Sequence, residues 1–347
     1  MTVTLQSKSG EFTFEAAADE PLLYAGLRAG LDLPYECSTG TCGTCRGRVM
    51  SGGVDIGWAD APGAARLKKE KGDVLLCQAR ARGDCFLRVP AETPKREGLA
   101  ILPAACRGKI DVVGRLTPDV THIEIALDQP IAFEAGQFMV VTTECVTGGR
   151  AYSMVNYAKQ TDRLVFVIKR KPGGAFSDWL FDHDVTGRTI DLFGPLGKAT
   201  FRPDEALDLV CVTGGSGIAG IMSILNHAVD AKHFQRHRGQ LFFGVRTLAD
   251  GFYLDRLASL VNRAGGSLTV TLVLSDEAAS TARHPQFPAL HLAEGFVHDA
   301  AARLIEGPGH DAVGFVAGPP PMVDGAIRML ISSAGLLPER IRYDKFS

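Results

Sequence analysis

At 347 residues, 46% of them hydrophobic and 22% charged, the chain is globular and too long for one ordinary core, which predicts two or three domains. A net charge of −2 offers no basic surface for nucleic acid, and no apolar run reaches the roughly 18–20 residues that cross a bilayer. Met1-Thr2-Val3-Thr4-Leu5 lacks the basic-then-apolar plan of a signal peptide, so the expectation is a soluble, cytoplasmic chain with neither a nucleic-acid nor a membrane partner.

Residues 2–6 and 11–15 alternate as a hairpin about Ser9-Gly10. Asp19-Glu20-Pro21 is expected to cap a short helix from Leu22 to Ala29, stopped by Gly30. Then comes Cys37-Ser38-Thr39-Gly40-Thr41-Cys42-Gly43-Thr44-Cys45, three thiols at C-x4-C-x2-C spacing, with a fourth in Leu75-Leu76-Cys77-Gln78. This is the ligand spacing of a plant-type [2Fe–2S] centre. Gly40 and Gly43 permit positive φ and close approach, so amide N–H groups can point at the sulfurs, and Thr39, Thr41 and Thr44 add hydroxyl donors. A structural zinc site would pair two C-x2-C-like knuckles, and no second pair surrounds Cys77. Disulfides are not expected without a secretory signal. Cys85, Cys106, Cys145 and Cys211 lack ligand spacing and are expected to be buried free thiols. Strands at Arg46–Met50 and Cys85–Val89 complete this region, and the proline- and charge-bearing stretch 93–103 reads as a linker.

Closely spaced strands at Lys109–Leu116, Thr121–Leu127, Gln137–Thr143 and Arg163–Lys169 predict a small antiparallel barrel. Lys171-Pro172-Gly173-Gly174 leads into a helix from Ala175 to Phe181, whose first N–H groups suit an anion such as a pyrophosphate. After Asp208, apolar strands (209–213, 241–245, 268–274, 312–316) alternate with helices, which predicts a doubly wound parallel sheet binding its ligand at the carboxyl ends of the strands. Gly214-Gly215-Ser216-Gly217 and Gly318-Pro319-Pro320-Pro321-Met322 fall at such ends. Taken alone, the first is not a G-x-G-x-x-G fingerprint and is equally a tight packing turn. A tyrosine in Arg-x-Tyr-Ser is, by itself, as readily cross-strand packing.

In order along the chain, Arg150-Ala151-Tyr152-Ser153, Gly173-Gly174-Ala175-Phe176-Ser177, Gly194-Pro195-Leu196-Gly197, the two glycine turns and the terminal Tyr343-Asp344-Lys345-Phe346 resemble the ferredoxin–NADP reductase superfamily. Residues 1–90 resemble a plant-type ferredoxin, and essentially the whole chain is similar to the NADH-dependent reductase components of bacterial multicomponent oxygenases. The resemblance implies a multidomain α+β and α/β chain: a β-grasp-like ferredoxin domain (1–92), a linker (93–103), an antiparallel FAD-binding barrel (104–204) and a doubly wound NAD-binding domain (205–347). It implies Cys37, Cys42, Cys45 and Cys77 as the cluster ligands, and Arg150 on the flavin pyrophosphate through its planar fork. Tyr152 would pack on the isoalloxazine, Ser153 would sit near its N5, and Phe346 would cover the face where nicotinamide enters; these three form the catalytic set. Val167 and Lys169 would line the flavin by backbone contacts, with Gly174 and Ser177 as pyrophosphate donors. Gly214, Ser216, Gly217, Gly318, Pro319 and Met322 match the dinucleotide site. Many members carry Cys directly before Gly-Pro-Pro, where this chain has Ala317, so a thiol contribution to hydride transfer is not expected here, while cofactor binding is.

The combination has a physical logic. A nicotinamide gives two electrons together as hydride, a [2Fe–2S] centre takes one, and a flavin handles either. Plant-type clusters lie near about −400 mV, low enough to reduce many partner centres. The expected acceptor is a Rieske or di-iron oxygenase component of an aromatic or hydrocarbon hydroxylating system, or the ferredoxin serving it. Two alternatives stand beside this: a reductase for another iron–sulfur enzyme such as a deoxysugar dehydrase, and a redox-responsive binding protein. For the donor, Asp276 and Glu277 follow the third strand where NADP-dependent members carry Ser-Arg. Arg246, after the second strand, is the single cation there, so NADH is expected over NADPH.

Overall fold

The computed structural model describes residues 1–95, 101–307 and 309–346, so positions 96–100 of the expected linker lie outside the described residues. The chain divides into two compact units, Met1–Cys106 with Met139–Ala151 and Asp191–Leu196, and Arg107–Phe138 with Tyr152–Ile190 and Gly197–Ser347.

In the first unit, β1 (Thr2–Ser7) and β2 (Gly10–Glu15) form the expected hairpin, followed by α1 (Leu22–Arg28). Leu22, Leu23, Ala25 and Leu27 of α1 are buried, the apolar spacing that seats a short helix on a sheet. The expected cap is absent: Pro21 holds the N-cap position with no side-chain bond, while the Glu20 carboxylate takes the Arg28 guanidinium at 2.8 Å instead. β3 (Arg46–Ser51), β4 (Val54–Asp55), β5 (Asp73–Leu75), β6 (Arg80–Ala81) and β7 (Cys85–Arg88) follow. The sheet order is β2-β1-β7-β3-β5, with β1 and β7 parallel, the β-grasp arrangement expected.

β8 (Ala104–Thr117) and β9 (Val120–Ile131) come next, then β10 (Phe138–Thr143), β11 (Val146–Ser153), β12 (Thr161–Lys169), α2 (Ala175–Asp182) and β13 (Thr189–Leu196). Within the second unit β9 pairs antiparallel with both β8 and β12, and register shifts at Ile110/Val112, Arg115/Thr117 and Thr161/Arg163 mark the bulges that bend long strands. Within the first unit β10 lies between β11 and β13.

The rest of the second unit is β14 (Asp208–Gly214), α3 (Ile218–Asp230), β15 (Gly239–Val245), α4 (Leu254–Arg263), β16 (Leu268–Leu274), β17 (His291–Glu294), α5 (Val297–Leu304), β18 (Ala312–Gly318), α6 (Pro320–Ser332) and β19 (Ile341–Lys345). The order β17-β16-β15-β14-β18-β19 is parallel throughout. One core cluster holds Cys211, Phe243, Leu272 and Phe315, and another holds Val212, Phe242, Val273 and Val316, so both faces of the sheet are covered. The strand order reverses at β14 and β18, which is where such sheets bind ligands. Among the described residues no helix is long and apolar enough to cross a membrane.

Candidate functional site

Cys37, Cys42 and Cys45 lie on a loop without regular structure, where Gly40 (φ 94°) and Gly43 (φ 82°) adopt the left-handed backbone that glycine tolerates. A Cβ on Gly63 would lie 2.7 Å from the Gly43 nitrogen, so the 61–66 turn closes directly on the cysteine loop. The resulting curl aims donors at sulfur. Thr39 N–H (3.5 Å) and Cys42 N–H (3.4 Å) point to Cys37 Sγ, Thr44 N–H to Cys42 Sγ (3.5 Å), and the Gln78 amide to Cys77 Sγ (3.6 Å). Among the described residues no three His, Cys, Asp or Glu side chains gather as they would around one ion. The thiols act on one another's titration in two pairs, Cys37 with Cys42 and Cys45 with Cys77. Two thiolates for each of two irons is the demand of a [2Fe–2S] centre, so the donor set fits that group. Hydrogen bonding from Cys42, then from backbone N–H groups, draws the Cys37 thiol down to about 5, and the same shared proton raises Cys42. Of the remaining thiols Cys85 and Cys211 are buried as expected; Cys106 is half-buried and Cys145 exposed, because each lies in a strand-end segment that faces solvent.

On β11, Arg150 is half-buried, with Nη1 donating to the neighbouring Gly149 carbonyl at 2.9 Å. In the second unit the Tyr152 ring sits among aromatics, 5.6 Å from Phe176 of α2 and 6.5 Å from Phe166 of β12. Ser153 is 5% exposed and its hydroxyl has no hydrogen-bond partner, a costly state for a buried polar atom. Such an orphan suits a bound heteroaromatic with its own donors and acceptors. Val167 is buried on β12, while the Lys169 side chain reaches Asp119 at 3.2 Å. Gly174 caps α2, and a Cβ there would lie 2.8 Å from both the Lys171 carbonyl and Ser177 Oγ. The Ser177 hydroxyl, expected as a pyrophosphate donor, bonds the Lys171 backbone N–H and carbonyl and the Gly174 carbonyl, bracing the turn. What α2 leaves unused is the N–H groups of its first turn.

At the carboxyl ends of β14 and β18 the two glycine turns meet. A Cβ on Gly217 would stand 2.3 Å from the Ala317 carbonyl, and the Thr213 hydroxyl donates to that same oxygen at 2.9 Å. Gly318 has φ 152°, and the Met322 methyl occupies the space its Cβ would take while lying against Gly214. Gly215 (φ 54°) has nothing within 4 Å of a built Cβ, so this turn faces open space beside Ser216. Pro319 caps α6, and Phe346 N–H donates to Gly318 O at 3.0 Å, which fixes the terminal aromatic beside the turn. The ends of β15 and β16 are tied by Ser275 N–H to Val245 O and Asp276 N–H to Arg246 O. Arg246 pairs with Asp250 at 3.3 Å and Asp119 at 3.6 Å. Glu277 turns back to accept the Leu248 N–H, and Asp276 accepts the Ser275 hydroxyl.

The chain matches the 2Fe-2S iron-sulfur cluster binding domain over residues 3–82, the oxidoreductase FAD-binding domain over 108–201 and the oxidoreductase NAD-binding domain over 211–328. It is 34% identical to the ferredoxin–NAD(+) reductase component of the alkene monooxygenase system of Xanthobacter autotrophicus, over 96% of this chain and 98% of that protein. The chain belongs to the family of oxygenase-system reductase components. An aromatic O-demethylase reductase subunit from Amycolatopsis is 33% identical over 94% of each chain. The solved ferredoxin reductase of carbazole 1,9a-dioxygenase superposes with a TM-score of 0.83 at 30% identity, covering 100% of this chain and 99% of that one. This reductase is therefore a flavin iron–sulfur oxidoreductase with an FAD-binding, an NAD-binding and a [2Fe–2S] domain. The residues that sequence reasoning passed over are Gln78, whose place beside Cys77 was the available signal, and Asp119, for which nothing local pointed to Arg246.

Proposed function

We propose that this reductase moves electrons from NADH through FAD and the [2Fe–2S] cluster to a Rieske or di-iron oxygenase component, or to the ferredoxin serving one. The relatives named above are the reductase component of an alkene monooxygenase system and the reductase subunit of an aromatic O-demethylase, each matched along nearly its whole length. The observation that carries the reading is the cysteine loop whose backbone N–H groups point at Cys37 and Cys42 Sγ, in the same chain as two glycine turns at the β14/β18 switch point. Three functional domains, 1–92, 104–204 and 205–347, divide the work. FAD, when bound, converts hydride delivery into single-electron steps. The chain's own residues would hold and orient: Arg150 is a pyrophosphate residue by the resemblance, and within the second unit Gly174 would give a pyrophosphate room at the first turn of α2 while Ser177 keeps that turn rigid. Tyr152 and Val167 with the Lys169 backbone bound the ring, Ser153 directs its hydroxyl to N5, and Phe346 guards the nicotinamide face. Gly214, Ser216, Gly217, Gly318, Pro319 and Met322 seat the dinucleotide.

Cys77→Ala tests the route. It should abolish the cluster's absorption and paramagnetic signal and NADH-driven cytochrome c reduction, yet leave NADH-driven reduction of ferricyanide, which takes electrons from the flavin. An intact cluster signal in that variant would remove Cys77 from the ligand set. Sustained turnover with excess acceptor separates a reductase from a redox-responsive binding protein, which would react once and stop.

A further inference from the structure

Tyr24 lies on α1, within the stretch matched as cluster-binding, and Phe193 lies on β13, within the stretch matched as FAD-binding; both belong to the first compact unit. Their rings are stacked, with centroids 4.1 Å apart and planes 5° from parallel. Phe193 is buried, and Tyr24 is the half-buried member of a helix whose neighbours Leu22, Leu23, Ala25 and Leu27 serve the ferredoxin core. The tip of the same side chain does a second job. Its hydroxyl donates to the Ser38 carbonyl at 3.1 Å. Ser38 directly follows Cys37, is 1% exposed, and holds φ at 57°, a left-handed conformation that serine keeps only where its surroundings enforce it. One residue thus touches a strand of the flavin-binding stretch with its face and the cysteine loop with its tip.

We propose that Tyr24 and Phe193 are positioning residues that hold the cluster loop at a fixed distance from the flavin-binding strand β13 for electron transfer. The proposal rests on the electron route proposed above. In the step concerned, one electron passes from the reduced flavin to the oxidised cluster, which becomes reduced by one; the second follows after the acceptor has taken the first. Hydride from NADH supplies both. No bond is made or broken at either ring: their part is to fix a distance, and electron transfer between two centres slows as the gap between them widens.

The test uses the full holoprotein in three variants. Phe193→Leu removes the stack, Tyr24→Phe keeps the stack and removes the bond to Ser38, and Phe193→Tyr restores an aromatic face. Stopped-flow mixing with NADH separates flavin reduction from cluster reduction, and deuterium exchange of the amides at 36–46 is measured on oxidised protein without NADH. Phe193→Leu should slow cluster reduction severalfold, leave flavin reduction unchanged and speed exchange in the cysteine loop. Phe193→Tyr should restore both. Tyr24→Phe should speed exchange at Ser38 and Thr39 and shift the cluster's paramagnetic line shape, and it keeps the proposal testable if Phe193→Leu does not fold. Unchanged exchange and unchanged cluster reduction in Phe193→Leu would overturn it, as would an equal loss in both kinetic phases. A wild-type protein whose cluster is not reduced by NADH at all would instead defeat the route, while the exchange arms would still judge the contact.

Discussion

Gly217→Ala is the most direct perturbation of the dinucleotide turn. Gly217 has an ordinary helical φ of −59°, so the substitution introduces no backbone strain of its own. The added Cβ, however, would stand 2.3 Å from Ala317 O, 2.7 Å from Ala317 C and 2.9 Å from Thr213 Oγ1. The first two are backbone atoms at the end of a central strand, so relief requires moving the start of α3 away from β18 by about 1 Å. Overpacking of this kind costs roughly 1–3 kcal/mol, which for a unit of this size lowers the melting temperature by about 2–4 °C per kcal/mol. The same shift opens the contact between the two glycine turns, where the Thr213 hydroxyl bridges to Ala317 O. We expect the KM for NADH in the ferricyanide assay to rise about tenfold or more, with flavin and cluster spectra unchanged. Gly215→Ala is the control: φ is 54° and nothing lies within 4 Å, so it carries a left-handed penalty of roughly 1–2 kcal/mol without the clash. A Gly217→Ala protein with wild-type KM would refute the reading that the approach of these two turns forms the dinucleotide seat.

Ser153→Ala removes a buried hydroxyl that bonds nothing in the chain, so the melting temperature of the flavin-free protein should hold or rise, while flavin reduction by NADH slows by about tenfold or more. Asp119→Asn releases one of the two carboxylates beside Arg246, and kcat/KM for NADPH should then rise by about fivefold relative to NADH; a further Arg246→Ala should cancel the gain, and no gain at all would mean that Arg246 does not reach the 2′-position. Burial, the leading cause at both, lowers the pKa values of His122 and His233 below the ordinary 6.5, so above that pH both states carry them neutral and their contribution is complete. As pH falls through 6.5 the unfolded chain takes up protons that the folded chain refuses, so the melting temperature should be lower at pH 5.5 than at pH 7.5, and His122→Gln should flatten the difference.

What could be read in advance was whatever depends on spacing along the chain. Four cysteines separated by fixed numbers of residues specify a cluster because the ligand loop is built from one contiguous segment, and Gly40 and Gly43 take the positive φ that the loop requires. The four central parallel strands β14, β15, β16 and β18 were legible because each is a largely apolar run buried on both faces. The strands that escaped notice lack that signature: β19, Ile-Arg-Tyr-Asp-Lys, is mostly polar, β13 is interrupted by Gly194-Pro195, and β11 carries two glycines before Arg150. Side-chain direction was the other hidden quantity. Ser177 stands at a helix start where a hydroxyl donor to phosphate is a natural reading, yet the Lys171 carbonyl lies 3.1 Å away and takes the bond.

Arg246 shows why the second kind of misreading arises. Judged by neighbours in the chain, its acids are Asp276 and Glu277, brought alongside by the pairing of the β15 and β16 ends. Two donors at that junction, the backbone Leu248 N–H and the Ser275 side-chain hydroxyl, take Glu277 and Asp276 respectively. The guanidinium turns to Asp250, four residues on, and to Asp119, which arrives from the β8–β9 turn of the barrel. Charge acts through space and is indifferent to which element supplies it. Counting acids along the sequence therefore finds Asp276 and Glu277 but not Asp119, and for this reason Asp119, remote in sequence from every nicotinamide motif, is the residue whose removal should change the choice between NADH and NADPH.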